Sequence, residues 1–378
     1  MKVGIVVPYS WSFWGAVVEH AELQAQALRD LGVETQTIMG NDPPGQFTRA
    51  LHPRLGRDGP PPPDVIPVGR SAIVPANASL PNLILGPRSV LRLRRVLERE
   101  QFDLIHVHEP MAPVLSIGAL ALTRSPVVAT FHSSGDLRWA TYGMPIWGFL
   151  LDRIDARIAV SERARVSSQR YAPGEYEVIP NGVLIPPGAD PSGREDRILF
   201  VGRQEARKGL PVMLEAWPEI HRRTGARLRV IGADPLAVRL LLARQRIPEA
   251  GIDSLGFLPQ ERLTEELLGA KALAAPSLGG ESFGMVLTRA FACATPVVAS
   301  DIEGYRDVMT PDVGITIPPG DPAALADGLV DLLADEDRRC RFGEAARRLA
   351  QERYSWDEIG RRLLRVYERV LGRVRAAA

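Results

Sequence analysis

Three cations follow a predicted strand in the second half of the chain. The strand Arg197–Val201 ends at Gly202, and Arg203, Arg207 and Lys208 come within the next six residues. An arginine forks onto two phosphate oxygens and a lysine adds a compact charge, so Arg203 and Lys208 would clamp a diphosphate if they converge. A solvated basic loop is the alternative, but a position at the carboxyl edge of a parallel sheet favours ligand binding.

A glycine-rich segment, Gly279–Val286, precedes an apolar helix further along the chain. Helix N-termini fed by such loops bind phosphates, because unpaired backbone N–H groups point at the ligand and no Cβ blocks its approach. Glu281 in this segment is placed to hold a sugar hydroxyl. N-terminal capping of the helix is the alternative role, but the glycines around Glu281 favour ligand contact.

Two segments in the first half of the chain also follow predicted strands and carry candidate ligand-binding residues. The turn Ser10–Val17 follows the first strand, and its Gly15-Ala16 step either lets backbone N–H groups reach an anion or makes a tight turn without a ligand. His132 follows the strand that begins at Val127, which suits polar contact or acid–base work, with a structural hydrogen bond as the alternative.

The pair His106 and His108, with Glu109 next to it, raises the question of a metal site. We expect no metal there, because we take the two histidines to point to opposite faces of their strand and find no third ligand in the sequence. The acidic run Asp335–Asp337 does not follow a strand, as a metal-binding pair of a transferase should, and is interpreted as a helix junction.

Short apolar strands alternate with helical patterns in both halves of the chain, which predicts α/β architecture with parallel sheets covered on both faces. The segment Gly15–Leu31 shows the helical period. A proline-rich loop, Asn41–Asp64, is expected to be irregular and mobile, and Pro186–Asp196 is interpreted as an interdomain linker. The other predicted strands are Lys2–Val7, Leu104–Val107, Val127–Thr130, Ile154–Val160, Tyr176–Ile179, Leu228–Ile231, Leu273–Ala275 and Pro296–Ala299.

Composition limits the function classes. The 378 residues carry a formal net charge of +1, so a general affinity for nucleic acid is not expected. The two cysteines, Cys293 and Cys340, are too few for a disulfide framework and fit a reducing compartment. Lys2–Pro8 lacks the pattern of a signal peptide, and the longest apolar stretch, Met111–Leu122, is shorter than the ~20 residues of a spanning helix. We therefore expect a cytoplasmic protein, with peripheral contact at the inner face of the plasma membrane left open.

Motifs over nearly the whole chain resemble those of the retaining GT-B glycosyltransferases of family four, and most of all the phosphatidylinositol mannosyltransferases of actinobacteria. The motifs that carry the resemblance are Pro8-Tyr9-Ser10 with Gly15, His106–Pro110, Ala129–Ser133, Ile158–Ser161, Ile179–Val183, Gly202-Arg203, Arg207–Gly209, Gly279–Gly284 and Tyr354–Trp356. The resemblance implies two Rossmann-like, doubly wound α/β domains, 1–185 and 186–356, facing a central cleft. The last helix, 357–374, would cross back onto the first domain with an apolar stripe formed by Ile359, Leu363, Val366 and Val370.

The implied reaction moves a hexose, mannose from GDP-mannose, to a lipid-linked acceptor such as phosphatidylinositol, with retention and without a metal or other cofactor. Attack would come from the front face, so catalysis would depend on positioning and charge stabilisation. Arg203 and Lys208 would stabilise the leaving diphosphate, Glu281 would bind donor-sugar hydroxyls, and His132 would contact the sugar near the reacting centre. The implied donor-binding residues are Gly15, Ala16, Arg203, Lys208, Gln260, Glu281, Ser282, Phe283, Gly284, Met285 and Arg289, and the implied acceptor-binding residues are Tyr9, Val18 and His132.

Four positions depart from the family pattern. Arg289 stands where a second Glu usually holds the ribose diol, and Ala16 adds a methyl group near the phosphate path. Val18 replaces a polar Gln that faces the acceptor, and Gln260 replaces an acidic residue that reads guanine, unless Glu261 substitutes for it. Two alternatives therefore stay open: a degenerate member that binds nucleotide or lipid with little turnover, and a UDP-sugar-dependent transferase with another acceptor. A Rossmann dehydrogenase is poorly supported, because no G-x-G-x-x-G follows the first strand.

The segment Arg88–Arg99 is amphipathic. Val90, Leu93 and Leu97 share one face, and another carries the four arginines Arg88, Arg92, Arg95 and Arg99. The segment matches the place of a membrane-facing basic helix in the relatives, where each cation near an anionic surface contributes about 1 kcal/mol. An ordinary solvated helix face is the alternative.

Overall fold

A computed structural model describes residues 1–43, 56–57, 59–73, 82–132 and 148–377. It divides into two compact units, Met1–Gly182 together with Trp356–Ala378, and Val183–Ser355. The sequence analysis placed the domain boundaries at 185 and 356. Residues 44–55 and 58 of the predicted proline-rich loop, and the residues that follow His132 in its motif, lie outside the described ranges.

The first unit contains a parallel sheet with helices on both faces. Its strands are β1 (Lys2–Ser10), β2 (Glu34–Gly40), β3 (Val65–Gly69), β4 (Ser71–Ile73), β5 (Asn82–Ile84), β6 (Leu104–His108), β7 (Val127–Phe131), β8 (Ala156–Ala159) and β9 (Tyr176–Val178). Its helices are α1 (Ala16–Asp30), α2 (Pro87–Glu100), α3 (Leu115–Leu122), α4 (Glu162–Gln169) and α12 (Trp356–Ala377). The parallel strands run in the order β3-β2-β1-β6-β7-β8-β9, while β5 pairs antiparallel with β1 and β4.

Burial along β1 shows why an unbroken apolar run forms the centre of this sheet. Val3, Ile5 and Val7 pack with α1 and α12, whereas Val6 packs with α2 and α3 on the opposite face. Since successive strand residues point to opposite faces, a strand covered on both sides needs apolar residues at every position. The strand order reverses between β1 and β6, so the ligand-binding switch point of the first unit lies at their carboxyl ends.

The second unit repeats this architecture. Its strands are β10 (Glu195–Val201), β11 (Arg227–Ile231), β12 (Ile252–Gly256), β13 (Ala270–Ala275), β14 (Val297–Ser300) and β15 (Gly314–Ile317). Its helices are α5 (Leu210–Thr224), α6 (Pro235–Gln245), α7 (Gln260–Gly269), α8 (Met285–Ala292), α9 (Glu303–Arg306), α10 (Pro322–Ala334) and α11 (Glu336–Leu349). The strands are all parallel, in the order β12-β11-β10-β13-β14-β15, and the switch point lies between β10 and β13. The prediction of two doubly wound α/β units is confirmed.

The segment 186–196 is not a free linker, as its Pro, Gly and Asp content predicted. It lies inside the second unit, and its last two residues begin β10. Arg194 anchors it, because the guanidinium is buried and donates to the carbonyl oxygens of Ala270 at 2.9 Å and Cys293 at 2.6 Å. A buried guanidinium with this many acceptors ties the segment to the core of the unit.

The last helix, α12, belongs to the first unit and packs on α1. The predicted apolar stripe is buried, with Ile359, Leu363, Val366 and Val370 at most 2% exposed. Its first residue, Trp356, lies against Gly182, where an added Cβ would come within 2.4 Å of the indole ring. Among the helices that the structure describes, none is both long enough and apolar enough to cross a membrane.

Candidate functional site

The candidate donor site of the second unit lies at its switch point. The loops after β10 and β13 contain the two cationic and glycine-rich motifs, and these strands are neighbours in the sheet. The loops are joined directly, since the N–H of Leu278 donates to the carbonyl oxygen of Arg207 at 2.7 Å. Gly209 adopts a φ of 76°, and an added Cβ there would lie 1.8 Å from the carbonyl oxygen of Pro276, so this close approach requires glycine.

Glu281 binds two cations across this junction. Its carboxylate accepts from Lys208 Nζ at 2.8 and 3.0 Å and from Arg207 at 2.8 Å. The Glu281 side chain is 10% exposed and that of Lys208 is 19% exposed, so the pair is mostly shielded from water. A carboxylate held by two cations has a fixed orientation, which is what contact with a sugar hydroxyl requires.

Arg203 and Lys208 were predicted to converge, and they are linked through Glu205, Arg207 and Glu281 rather than directly. Arg203 pairs with Glu205 at 2.9 Å, and Glu205 also pairs with Arg207 at 2.6 Å. The Arg203 side chain is 67% exposed and therefore able to reorient toward a ligand. Three cations and two carboxylates give this network a net charge of +1, which favours an anion. The sequence analysis named Arg207 in the motif without assigning it a role, because its contact with Glu281 is visible only in the tertiary structure.

Glu281 does not cap the following helix. Helix α8 begins after Gly284, which has a φ of 82° and no side-chain hydrogen bond at the cap. An added Cβ at Gly284 would lie 2.8 Å from the ring of Tyr305, so the turn into the helix leaves room for backbone alone. The N-terminal N–H groups of α8 therefore start directly beside the Glu281 network, in the arrangement that binds phosphate.

The other residues predicted to bind the donor differ in their surroundings. The Phe283 side chain is 4% exposed and packs edge-to-face on Tyr354, so any ligand contact there comes from its backbone. Ser282, which follows Glu281, and Met285, the first residue of α8, are half-buried. Arg289 lies in the last turn of α8, also half-buried, where a cation interacts favourably with the helix dipole.

Gln260 is the first residue of α7, outside the Glu281 network. A cavity of about 630 Å³ is lined by Leu258 and Arg262, two residues before and after Gln260, whereas Gln260 is not part of its lining. The cavity runs along the edge strand β12 and includes Asp253.

In the first unit, the turn after β1 is held by buried polar contacts. The Ser12 hydroxyl donates to Asn41 at 2.7 Å, and the guanidinium of Arg57 lies 4.0 Å from the ring centre of Trp14. Gly15 and Ala16 follow as exposed residues at the start of α1. Gly15 has an extended backbone with open space around its Cβ position, so this structure shows no steric need for glycine there.

Two predicted acceptor residues lie deeper than expected. Val18 is 3% exposed and belongs to the apolar core beneath α1, so its methyl groups face protein. Tyr9 is half-buried at the end of β1, and burial, with the nearby charge of Glu109, raises the pKa of its hydroxyl. Tyr9 therefore stays protonated and can donate a hydrogen bond at neutral pH.

The expectation that His106 and His108 point to opposite faces is wrong. Residues two apart on a strand share a face, and the two imidazoles stack with ring centres 4.8 Å apart. His106 contacts Thr130 at 2.7 Å and Tyr367 at 2.6 Å, whereas His108 Nδ1 contacts His132 Nε2 at 2.8 Å. The predicted site residue His132 is thus held by a histidine that the sequence analysis set aside.

His20 completes this cluster from α1. Its ring centre lies 4.9 Å from that of His132 and 5.5 Å from that of His108. Burial lowers the pKa of His20 to about 4 and that of His106 to about 3, and burial with mutual repulsion lowers the pKa values of His108 and His132 as well. All four imidazoles are therefore neutral near pH 7. The sequence feature that could have identified His20 as a site residue is the pair of polar residues His20 and Gln24 on the buried face of α1.

Helix α2 carries the predicted basic face. Its buried side is formed by Ser89, Leu93 and Val96, so Val90 and Leu97 lie at the margin of the buried stripe. Arg88, Arg92, Arg95 and Arg99 are all exposed. Leu91 lies among them and is 60% exposed. Within the described residues no ion pair engages Arg88, Arg92 or Arg95, whereas Arg99 pairs with Glu100.

Two family models match the chain, one for each unit. "Glycosyltransferase Family 4" matches residues 17–184, and "Glycosyl transferases group 1" matches residues 186–349. The phosphatidyl-myo-inositol mannosyltransferase of Mycobacterium leprae is 34% identical over 98% of this chain and 97% of its own length. The enzyme of the same name from Mycolicibacterium smegmatis is 33% identical over 98% of this chain and 95% of its own. The chain belongs to the family 4 glycosyltransferases. The predicted enzyme class, a glycosyltransferase, is thereby confirmed.

Solved structures support the fold. Sucrose-phosphate synthase from Thermosynechococcus elongatus superposes with a TM-score of 0.75 at 19% identity, with 100% of both chains covered. The Anabaena protein HepE, solved with UDP and glucose, superposes with a TM-score of 0.70 at 18% identity over 97% of this chain and 99% of its own. These likenesses confirm the predicted GT-B fold.

Proposed function

We propose that this family 4 glycosyltransferase transfers mannose from GDP-mannose to phosphatidylinositol, with retention of configuration at the anomeric carbon. The observation that carries the proposal is the identity of 33–34% to phosphatidyl-myo-inositol mannosyltransferases over 98% of the chain. The arrangement of the cationic loop and Glu281 in the second unit agrees with it.

The second unit would bind the donor. The diphosphate would lie against the N-terminus of α8, with Lys208 and the exposed Arg203 approaching its oxygens. Glu281, oriented by Lys208 and Arg207, would accept hydrogen bonds from hydroxyls of the mannose. Lys208 would then contact both Glu281, which binds the sugar, and the leaving diphosphate. The sugar and the diphosphate, between which the bond breaks, would therefore contact one rigid network of side chains.

Catalysis would depend on stabilising the charge that develops on the diphosphate as the glycosidic bond breaks. Preorganised cations contribute most when they need no rearrangement at that moment, and Lys208 is already fixed by two contacts to one carboxylate. We propose that the acceptor hydroxyl attacks the anomeric carbon from the face that the diphosphate leaves and gives its proton to the departing phosphate oxygen, without a protein nucleophile and without a metal. His132, neutral and held by His108, would offer a hydrogen bond to the sugar.

The acceptor would reach the first unit from an anionic membrane surface at the cytoplasmic face. The exposed arginines of α2, with Leu91 among them, match such a surface in charge and in apolar content. Co-sedimentation with vesicles of phosphatidylcholine, with and without phosphatidylinositol, tests this at low and high salt. We expect Arg95→Gln to weaken binding to the anionic vesicles and Arg94→Gln to change it less, since Arg94 already pairs with Glu98. Equal binding to neutral and anionic vesicles would contradict the proposal.

The reaction itself is tested by incubating the protein with GDP-mannose and phosphatidylinositol vesicles and following the lipid by mass spectrometry. We expect the mass of one added hexose, and a one-bond C1–H1 coupling constant of the product that indicates the same anomer as in the donor. The Lys208→Ala variant serves as the inactive control. Hydrolysis of GDP-mannose without lipid product would support a different acceptor, and neither product nor hydrolysis would support a binding protein with little turnover.

A UDP-sugar is the second candidate donor, because Gln260 replaces the acidic residue expected to read guanine. A thermal-shift series with GDP, UDP and ADP separates the two. A nucleotide at 100 times its dissociation constant raises the free energy of unfolding by about 2.7 kcal/mol, which is readily measured. Preference for UDP over GDP would replace the proposed donor while leaving the enzyme class unchanged.

Arg289 tests how the ribose is held. An arginine cannot accept hydrogen bonds from a diol, whereas a glutamate accepts two. If position 289 faces the ribose, Arg289→Glu should tighten GDP binding in a calorimetric titration. A glutamate in the last turn of α8 also opposes the helix dipole, so the variant's melting temperature must be measured alongside. Weaker or unchanged affinity would mean that the ribose is held elsewhere.

A further inference from the structure

Three histidines of the first unit bring their ring nitrogens together from three separate elements. His20 comes from α1, His108 from β6, and His132 from the residue after β7. One nitrogen of each lies within 4.8 Å of those of the other two. The residues are far apart in sequence, so the fold itself assembles this group.

Two nitrogens in the group have no hydrogen-bond partner. Within the described residues, His20 Nδ1 and His108 Nε2 are both buried from solvent and unpaired. Buried polar atoms in proteins are nearly always satisfied, and an unsatisfied one calls for an explanation such as an ion. Twelve buried side-chain atoms of the described residues lack a partner, and the two imidazole nitrogens among them both belong to the histidine group, which points to a ligand that accepts nitrogen lone pairs.

The chemistry of the group fits a transition metal. Imidazole nitrogens are the commonest metal ligands in proteins, and this group offers one from each of three histidines. Three imidazoles with an open fourth position form a known zinc ligand set, whereas Mg²⁺ and Ca²⁺ prefer oxygen. With Zn–N bonds of about 2.0–2.1 Å, tetrahedral coordination needs nitrogens about 3.3 Å apart. The rings would therefore close by on the order of 1 Å from their present separation.

We propose that His20, His108 and His132 form a binding site for Zn²⁺ or a similar divalent transition metal, and that the metal inhibits transfer. Inhibition follows because the metal would hold His132, which the proposed function assigns to the sugar. This second step rests on the proposed function, whereas metal binding does not. The site is thus distinct from a catalytic metal, and transfer proceeds without it.

The binding test uses the full chain after treatment with a chelator. Zn²⁺ and Mg²⁺ are titrated by calorimetry, and Co²⁺ binding is followed by its visible absorption, which is intense for tetrahedral nitrogen coordination. We expect one Zn²⁺ per chain with affinity in the micromolar range or tighter, and no comparable binding of Mg²⁺. The half-buried His132 is the safest position to change, and we expect His132→Gln to weaken Zn²⁺ binding at least tenfold.

Control variants show whether the binding belongs to this group. His20→Gln should also weaken binding at least tenfold, with circular dichroism confirming that the variant is folded. His221→Gln should leave it unchanged, because His221 lies on α5 of the second unit with Nδ1 bonded to the carbonyl of Ala226. His52→Gln covers the remaining histidine outside the described residues and should also bind normally. Zn²⁺ binding that survives in His132→Gln, or is lost in His221→Gln or His52→Gln, would overturn the site.

The activity test separates the two steps of the proposal. In the mannosyl-transfer assay, Zn²⁺ should inhibit the wild type and the His221→Gln variant, and a chelator should restore activity. Zn²⁺ that binds at the site without inhibiting would refute the inhibitory role while leaving the metal site standing. If no transfer is found with any donor, the proposed function fails, but the Co²⁺ spectrum still decides whether the histidines bind a metal.

Discussion

Replacing Lys208 by alanine should separate charge stabilisation from folding. The Lys208 side chain is 19% exposed, and its ammonium contacts both oxygens of Glu281 at 2.8 and 3.0 Å. After the substitution Glu281 still pairs with Arg207, so its carboxylate is not left alone in a buried position. We therefore expect the free energy of unfolding to fall by about 1.5–3 kcal/mol, the value of one hydrogen bond to a charged group.

The expected effect on turnover is larger. Loss of one preorganised charge-stabilising donor typically lowers kcat about 10²–10³-fold, which corresponds to about 2.7–4 kcal/mol in the transition state. The charge on the diphosphate grows as the bond breaks, so the loss should appear mainly in kcat, with a smaller change in the KM for GDP-mannose. Steady-state kinetics of lipid mannosylation measure both parameters.

Lys271→Ala provides the matched control. Lys271 is also in the second unit, is 20% exposed and pairs with a carboxylate, that of Asp196, at the amino-terminal side of the sheet. It should keep wild-type turnover. Chemical denaturation of both variants checks that stability losses are comparable. Turnover of Lys208→Ala within threefold of the wild type, or an equal loss in Lys271→Ala, would refute the assignment of Lys208 to the leaving group.

Three further predictions concern the scaffold of the second unit. Gly284→Ala gives a residue with a φ of 82° a Cβ that would contact the ring of Tyr305, so it should lower the free energy of unfolding by about 1–3 kcal/mol. Gly372→Ala, at a position in α12 with open space around it, should not destabilise the protein. Denaturant titration distinguishes them. Arg194→Ala removes the buried guanidinium donors to the carbonyl oxygens of Ala270 and Cys293 and should cost about 3 kcal/mol or more, against less than about 1 kcal/mol for the exposed Arg222→Ala; similar losses in the two would contradict the anchoring role. Burial raises the pKa of Cys293 to about 12, so its thiol should not react with a thiol reagent at pH 8 unless the protein is unfolded. Rapid labelling of Cys293 in the native state would contradict this prediction, because it would show that the thiol is accessible.

The local features of the chain were readable because each depends on a short stretch. Alternating strand and helix patterns identify two doubly wound sheets, and the stripe on α12 predicts its buried face at each of the four named positions. The cationic and glycine-rich loops were identifiable for the same reason, since each follows one strand. The linker prediction failed where composition was the sole guide, because Arg194 binds the segment 186–196 to carbonyl oxygens about 75–100 residues away.

The sequence by itself determined the two sheets, the family and the residue types of both candidate sites. Tertiary structure alone decided which of these residues meet. It places Glu281 on Lys208 and Arg207, more than 70 residues earlier, and leaves Arg203 to pair with Glu205. It also gathers histidines from α1, β6 and the end of β7 into one cluster. The physical reason is that parallel strands bring their carboxyl ends to one edge of a sheet, whatever the length of chain between them.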